Sequence, residues 1–220
     1  MDFIEYPDVE MLMINLANKL AGEIRTGLLS HERVTFAVPG GSTPGPMFDV
    51  LCGARQLDWS RVDVMLTDER LVPEDHERSN TRLLRERLLV DAAAEARYVP
   101  IVPQDEGLEA RAAEVAEHLP ITVLLLGMGA DMHTASLFPN SADLDHALST
   151  DAALAHVQPP DGLEPRVTLT AKALQGAVSQ HILITGTEKR AALERAQHLK
   201  PHEAPVATVL SEATVHWADT

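Results

Sequence analysis

The residues best suited to acid–base chemistry are Asp131 and His133. They follow a continuous apolar run at 121–126 and a glycine-rich turn, Gly127-Met128-Gly129-Ala130. A histidine titrates near neutral pH and is a natural general base, and a nearby carboxylate can fix its tautomer. A dinucleotide-binding loop would need a glycine at Met132, so that interpretation is weak. The segment predicts His133 as a general base beside Asp131, the alternative being a structural or solvated histidine.

A second group of residues is suited to holding an anion. The loop at 39–45, PGGSTPG, lies between a predicted strand and a predicted helix. Backbone N–H groups and a helix N-terminus favour negative charge at such a place, and hydroxyls add donors. The Gly-Lys-Ser/Thr ending of a P-loop is missing. The candidate phosphate ligands are Gly40, Gly41, Ser42 and Thr43, and a tight turn with a Ser or Thr helix cap is the alternative.

Charged residues near other predicted strands complete the set of candidates. Arg166 begins the segment RVTLT, and Lys189 lies in GTEK. Arginine can bind a phosphate through two N–H groups and lysine as a point charge, although a surface charge is the alternative for each. Asp68, Glu69 and Arg70 follow a predicted strand at 61–67 and are candidates to line the same pocket. A solvated loop with a local ion pair is the alternative for these three.

An alternation of strands and helices has to position these segments. Apolar periodicity predicts helices at 9–29, 47–51, 79–89, 107–118 and 188–199, and strands at 33–38, 61–67, 98–102, 121–126, 166–169, 181–185 and 205–210. The pattern predicts an α/β fold, doubly wound and Rossmann-like, with a mostly parallel sheet and helices on both faces. Ligands bind beyond the carboxyl ends of such strands. No repeat or linker interrupts the chain, so we expect a single domain at 1–220.

Composition excludes several classes of protein. The chain has 18 Lys and Arg against 33 Asp and Glu, a net charge of −15, which is unsuited to binding nucleic acid. No apolar run approaches the roughly 20 residues that span a bilayer, and the acidic N-terminus does not resemble a signal peptide. A single cysteine, Cys52, allows no intramolecular disulfide. No histidine lies in an HExxH motif. We therefore expect a cytoplasmic protein without a metal, a membrane or a nucleic-acid partner.

Taken together, five segments closely resemble the glucosamine-6-phosphate isomerase/6-phosphogluconolactonase family, and within it the lactonases. They are VPGGSTPGPMFDVL (38–51), DWSRVDVMLTDERLVPEDHERSNTRLL (58–84), LLLGMGADMHTASLFP (124–139), RVTLT (166–170) and GTEKRAAL (186–193). The resemblance implies a fold of the sugar-phosphate isomerase type. It also implies hydrolysis of 6-phospho-D-glucono-1,5-lactone to 6-phospho-D-gluconate, a step of the oxidative pentose phosphate pathway that needs no cofactor. A monomer or weak homo-oligomer is expected.

The resemblance also implies a role for each candidate residue. His133 matches the catalytic histidine that activates water, and Asp131 sits beside it. Gly41, Ser42 and Thr43 match the loop around the substrate phosphate, where Arg166 and Lys189 are the cations. The pocket is lined by Asp68, Glu69 and Arg70.

Two positions bear on activity within the family. Deaminase members carry a glutamate five residues after the histidine, where this chain has Phe138, the lactonase pattern. An amino-sugar-phosphate deaminase and a non-catalytic sugar-phosphate sensor are the alternative functions. Met132 replaces the usual glycine of Asp-Gly-His. If that position needs a positive φ, methionine costs about 1–2 kcal/mol of strain; otherwise the loop has a modified shape or Met132 narrows the pocket.

Overall fold

The computed structural model describes residues 1–104 and 106–219. The strands are β1 (Asp2–Glu5), β2 (Val34–Val38), β3 (Val62–Leu66), β4 (Asp68–Arg70), β5 (Arg97–Val99), β6 (Val123–Gly127), β7 (Leu154–Val157), β8 (Arg166–Leu169), β9 (Ser179–Thr185) and β10 (Thr214–Ala218). The α-helices are α1 (Val9–Ser30), α2 (Gly45–Leu51), α3 (Asn80–Arg87), α4 (Leu108–Ala116), α5 (Leu144–Ser149), α6 (Ala171–Gln175), α7 (Thr187–Ala196) and α8 (Ala207–Leu210). None of the helices in this described part is long and apolar enough to cross a bilayer.

The centre of the molecule is a parallel seven-stranded sheet in the order β1-β10-β9-β6-β2-β3-β5. All residues of β2 and β3 are buried, as expected for strands covered on both faces. Helix α1 packs against β2, β6 and β10, and α7 packs against β9. The α/β fold with a mostly parallel sheet and surrounding helices is therefore confirmed.

A second, antiparallel sheet in the order β4-β8-β7 was not predicted. It joins the first where the N–H of Thr67 donates to the carbonyl of Val38 and the N–H of Leu169 donates to the carbonyl of Thr67, both at 2.8 Å. Its strand β4 occupies a segment that we expected to be a loop. The predicted strand at 205–210 is wrong, because this segment contains the short helix α8 and the last strand is β10.

The registers bring the carboxyl ends of four strands to one edge of the central sheet. Val38 pairs with Leu66, and Gly127 pairs with Leu183. Each of these strands continues into a segment that the sequence singled out: the PGGSTPG loop after β2, β4 after β3, the Asp131–His133 segment after β6 and the start of α7 after β9. This edge is where the candidate site is expected.

Away from that edge, a chain of hydrogen-bonded side chains, buried at its two histidines and half-buried at its ends, connects α1 and the N-terminal segment to β9 and β10. Tyr6 Oη lies 2.8 Å from His216 Nδ1, His216 Nε2 lies 3.0 Å from His181 Nδ1, and His181 Nε2 lies 2.7 Å from Glu23 Oε2. One proton arrangement satisfies all three contacts, with Tyr6 donating to His216, His216 to His181, and His181 to the Glu23 carboxylate. Both imidazoles are then neutral, and each carries its proton on Nε2.

This chain predicts a loss of stability in mild acid. Burial lowers the pKa of His216 to about 3; the charge of Lys19, and that of His181 once it is protonated, add to the shift, and Glu23 opposes it. The unfolded chain takes up that proton near pH 6.5 while the folded chain does not, so stability falls as the pH drops from 6.5 towards 3, by up to about 1.4 kcal/mol per pH unit. Burial alone would raise the pKa of Glu23. The hydrogen bonds from His181 and Ser179 outweigh this effect and lower that pKa to about 2. The stability from Glu23 is therefore lost only below its unfolded value of about 4.3.

The measurement is urea unfolding at pH 6.5, 5.5 and 4.5 for the wild type and for His216→Gln. The variant is expected to be less stable at pH 6.5 but to show a pH slope smaller by about 1 kcal/mol per unit. The exposed His198 provides the control, since His198→Gln should keep the wild-type slope. A wild-type slope in His216→Gln would contradict the assignment.

Candidate active site

A cavity of about 270 Å³ opens at the carboxyl edge of the central sheet. It is close to the lower bound of about 300 Å³ for small-molecule pockets. The predicted residues that line it are Gly40, Gly41, Ser42, Thr43, Asp68, Arg70, His133, Arg166 and Lys189. The structure thus brings nine of the candidates together, whereas Asp131 and Glu69 lie outside the lining.

A larger cavity of about 740 Å³ lies at the opposite edge, near the starts of β2, β3 and β5. Its positive side chains gather around one carboxylate: Arg33 and Arg97 both donate to the buried carboxylate of Asp63, and His118 Nδ1 lies 3.1 Å from that carboxylate. Because these charges already have partners, size alone does not make this cavity the better site.

Asp131 and His133 form a hydrogen-bonded pair at the edge of the smaller cavity. His133 Nδ1 lies 2.6 Å from Asp131 Oδ1, and the backbone N–H of His133 donates to the same oxygen at 3.2 Å. Burial alone would raise the pKa of Asp131, but the hydrogen bond and charge of His133 outweigh it and lower that pKa. The carboxylate is therefore ionised at neutral pH and accepts the Nδ1 proton. This tautomer leaves His133 Nε2 as the nitrogen available to a ligand.

Gly129 is required for the close approach of this pair. A Cβ on Gly129 would lie 2.3 Å from His133 Nδ1 and 2.4 Å from Asp131 Oδ1. The turn is closed by the N–H of Gly129, which donates to the carbonyl of His133 at 3.0 Å. Any side chain at this position would push the imidazole or the carboxylate away.

For the lactone hydrolysis that the sequence predicts, we therefore expect Gly129→Ala to lower kcat by about tenfold or more. The added methyl would displace His133, the predicted base, from its alignment with the reacting water. Gly22→Ala in α1 is the control, since its added methyl would meet no protein atom within 4 Å and Gly22 is not part of the cavity lining. Its kcat should stay within about twofold of wild type. Equal kcat values for the two variants would show that the contact with Gly129 does not hold the pair.

The loop after β6 contains three non-glycine residues with positive φ: Met132 at 68°, Ala135 at 47° and Asn140 at 64°. The condition for strain at Met132 is thus met, at a cost of about 1–2 kcal/mol. Met132 packs against the hydrophobic core and is not part of the cavity lining, so it does not narrow the pocket. Its carbonyl accepts from the N–H of Val206 at 3.1 Å, which fastens the strained turn to the segment before α8.

Arg70 is held by a residue that the sequence did not single out as a ligand. One guanidinium nitrogen of Arg70 donates to Asn80 Oδ1 and to the carbonyl of Arg78, both at 2.7 Å, while Asn80 Nδ2 donates to the carbonyl of Asp68 at 2.9 Å. Asn80 also lines the cavity. A Cβ on Gly40 would lie 1.9 Å from Asn80 Oδ1, so this glycine leaves room for the amide. The signal in the sequence was its position in the first turn of the predicted helix at 79–89.

Glu69 points away from the cavity and organises the start of α3. Its buried carboxylate accepts from the N–H groups of Asn80 and Thr81 at 2.9 and 2.6 Å, and from the Thr81 hydroxyl at 2.7 Å. Ser79 and the N–H of Arg70 also donate to it. Negative charge is favoured at a helix N-terminus. Glu69 therefore fixes the segment that carries Asn80.

Arg166 is a buried cation with incomplete pairing. Only 8% of the residue is exposed, its closest carboxylate oxygen is Asp68 Oδ2 at 3.7 Å, and its Nε has no hydrogen-bond partner among the described residues. Burial lowers the pKa of Arg166; Asp68 opposes this shift and Arg70 adds to it. Arg70 pairs directly with Arg166 across β4 and β8, although like charges in such positions repel. An anion between them would relieve both costs.

The opposite wall of the cavity supplies further donors. Gly41 has a φ of 82°, and neither the Ser42 nor the Thr43 hydroxyl forms a protein hydrogen bond in the described part of the chain. The cap residue of α2 is Pro44, so these hydroxyls do not cap the helix, contrary to the alternative for this loop. Lys189 in α7 has no ion pair within residues 1–104 and 106–219. These donors and Arg166 face one cavity and suit a phosphate-sized anion.

The donor set does not suit a metal ion. Within the described residues, no three His, Cys, Asp or Glu side chains come together as a metal site. Cys52 is buried and does not line the cavity.

Comparison with known proteins places this arrangement in a family. The family model described as glucosamine-6-phosphate isomerases/6-phosphogluconolactonase matches residues 7–217. Over 92% of the chain, the sequence is 37% identical to the 6-phosphogluconolactonase of Rhizobium meliloti (strain 1021), covering 92% of that protein, and 39% identical to that of Pseudomonas aeruginosa, covering 88%.

Solved structures agree with the sequence comparison. The crystal structure of a 6-phosphogluconolactonase from Shewanella baltica OS155 superposes with a TM-score of 0.92 at 32% identity, over 99% of this chain and 97% of that one. A monomeric glucosamine-6-phosphate deaminase superposes with a TM-score of 0.80 at 17% identity, over 100% and 97% of the two chains, and so shares the fold. The chain therefore belongs to the glucosamine-6-phosphate isomerase/6-phosphogluconolactonase family.

Proposed function

We propose that this chain hydrolyses 6-phospho-D-glucono-1,5-lactone to 6-phospho-D-gluconate, with His133 as the general base. The observation that carries the proposal is the composition of one cavity. It contains a histidine whose Nδ1 is held by Asp131, an arginine, Arg166, whose nearest carboxylate oxygen is 3.7 Å away, and a lysine, Lys189, without an ion pair among the described residues. A phosphorylated lactone matches both parts of the cavity. Its phosphate is an anion that the arginine and lysine can bind, and its activated carbonyl can be attacked by a water molecule that the histidine deprotonates.

The phosphate group binds Arg166 and Lys189, with Ser42, Thr43 and the backbone of Gly41 on the opposite side. Each charge-assisted hydrogen bond of this kind contributes about 1.5–3 kcal/mol. Since the net charge of the protein is −15, attraction of the anion depends on these local groups. Phosphate binding places the lactone carbonyl towards His133.

In the reaction, Nε2 of His133 removes a proton from a water molecule as its oxygen attacks C1 of the lactone. The carbonyl electrons move onto the oxygen, where Arg70 and backbone N–H groups are the candidate donors. The tetrahedral intermediate collapses, the bond between C1 and the ring oxygen breaks, and the protonated His133 returns its proton to that oxygen. Asp131 keeps Nδ1 protonated and stabilises the imidazolium. The step consumes only water, so it requires no cofactor.

A lactone-hydrolysis assay tests the proposal. The purified chain should accelerate loss of 6-phospho-D-glucono-1,5-lactone well above its spontaneous opening, and it should release no ammonia from glucosamine 6-phosphate. Ammonia release would favour a deaminase. Phosphosugar binding without turnover of either compound would favour a sensor.

A further inference from the structure

Phe138 lies behind the cavity and touches both ends of the proposed site. Its ring centroid is 4.7 Å from that of His133, and the guanidinium carbon of Arg166 lies over the ring at 5.4 Å from the centroid. Only 8% of Phe138 is exposed, and it is not part of the cavity lining. The side chain therefore contacts the proposed base and the proposed phosphate cation without facing the substrate itself.

Arg166 depends on this ring because its other contacts are few. Its Nε has no hydrogen-bond partner in the described part of the chain, and Asp68 Oδ2 at 3.7 Å is beyond normal hydrogen-bond length. An aromatic face attracts a cation electrostatically and makes no hydrogen bond with it. The ring can therefore hold the guanidinium group in place without using its N–H groups, which stay free for an anion.

His133 has a similar arrangement. Asp131 fixes its Nδ1, but one hydrogen bond leaves the imidazole free to tilt about that contact. Phe138 on one side and the backbone of Gly129, which leaves no room for a Cβ, limit the tilt. Aromatic pairs with centroids 4.5–7 Å apart are attractive beyond their buried area.

We propose that Phe138 is a positioning residue that fixes the base and the phosphate cation relative to each other. This inference rests on the proposed function of His133 and Arg166. A phosphorylated lactone must present its carbonyl and its phosphate at the same time, so the two protein groups have to be correctly spaced. A single rigid ring in contact with both provides that spacing, whereas two flexible side chains would not.

Steady-state kinetics of Phe138→Leu and Phe138→Met test the inference, because both variants keep an apolar side chain but lose the ring. We expect kcat to fall about tenfold, from misalignment of His133, and KM for the phosphorylated lactone to rise about tenfold, from misplacement of Arg166. With D-glucono-1,5-lactone, which has no phosphate, only the kcat loss should remain. Phe36→Leu is the control for general loss of packing: Phe36 is fully buried in β2 away from the cavity, so this variant should lower Tm but keep both constants.

Double-mutant cycles separate positioning from a structural effect. In the Arg166→Ala background, Phe138→Leu should raise KM less than about twofold further, and in the His133→Ala background it should lower kcat less than about twofold further. The inference would be overturned if Phe138→Leu changed KM in the Arg166→Ala background and kcat in the His133→Ala background as much as it does in the wild type. It would also be overturned if Phe138→Leu alone left both kcat and KM unchanged. Wild-type activity of His133→Ala would instead overturn the proposed function, so the two failures are distinguishable.

Discussion

Replacing His133 with alanine is expected to lower kcat by about 10²–10⁴-fold with little change in KM, the typical contribution of a general base. The imidazole reaches the cavity with its Nδ1 bonded to Asp131 at 2.6 Å, so its Nε2 is placed to take a proton from water. In the proposed mechanism the substrate phosphate binds elsewhere in the cavity, so the variant should still bind the substrate. Initial rates with the phosphorylated lactone, corrected for spontaneous opening, measure the effect.

A control variant and a variant of the neighbouring carboxylate accompany this experiment. His198→Ala removes an exposed histidine far from the cavity lining and should keep wild-type kinetics. Asp131→Asn keeps a similar side-chain shape but removes the charge that stabilises the imidazolium, so its kcat should fall to a value between the wild type and His133→Ala. Near-wild-type turnover in His133→Ala would remove His133 from the role of base.

Replacing Arg166 with alanine is expected to raise KM for the phosphorylated lactone by about 10- to 150-fold, while kcat changes much less. This range corresponds to the loss of about 1.5–3 kcal/mol of charge-assisted hydrogen bonding. Arg166 is nearly fully buried, lines the cavity and forms no side-chain hydrogen bond with the described residues, its ion-pair contact with Asp68 being 3.7 Å long, so its donors at the cavity wall are available to an anion. The measurement is the KM of each protein for the phosphorylated lactone and for D-glucono-1,5-lactone. The second compound lacks the phosphate, so the variant and the wild type should hydrolyse it equally well.

Arg166→Lys keeps the positive charge but loses the paired N–H groups, so its KM should lie between those of the wild type and Arg166→Ala. The exposed Arg25 is the matched control, because Arg25→Ala also removes one arginine without touching the cavity. An unchanged KM in Arg166→Ala would exclude Arg166 from the phosphate site.

The sequence predicted the central sheet well where strands are covered on both faces. The segments that became β2, β3 and β6 are short apolar runs, and burial on two faces leaves little other choice of residue. β10 was missed and 205–210 was predicted instead. The burial of His216 in β10 depends on Tyr6 and His181, which are 210 and 35 residues away in the sequence. No local pattern can show that such a polar residue has buried partners.

The candidate site shows the same limit at the level of single side chains. The sequence predicts that Asp68, Glu69 and Arg70 all line the pocket, but they form a strand, and successive side chains in a strand point to opposite sides. Asp68 and Arg70 therefore line the cavity while Glu69 faces α3. Asn80 reaches the cavity because Glu69 fixes its backbone, a tertiary contact that residue types alone do not indicate.

The pairing of Arg70 with Arg166 links occupancy of the cavity to the integrity of the smaller sheet. Strands β4 and β8 pair over only three residues, and one of the three pairs places two guanidinium groups opposite each other. Without an anion, the repulsion between these groups works against that ladder. An anion that neutralises them must, by thermodynamic reciprocity, stabilise the ladder by as much as the ladder strengthens anion binding. Backbone amides of β4 and β8 should therefore exchange with solvent more slowly in phosphate buffer than in a buffer without it, while those of β2 and β3 stay unchanged. In that sense an anion bound in the cavity would contribute to the folding stability of the walls around it.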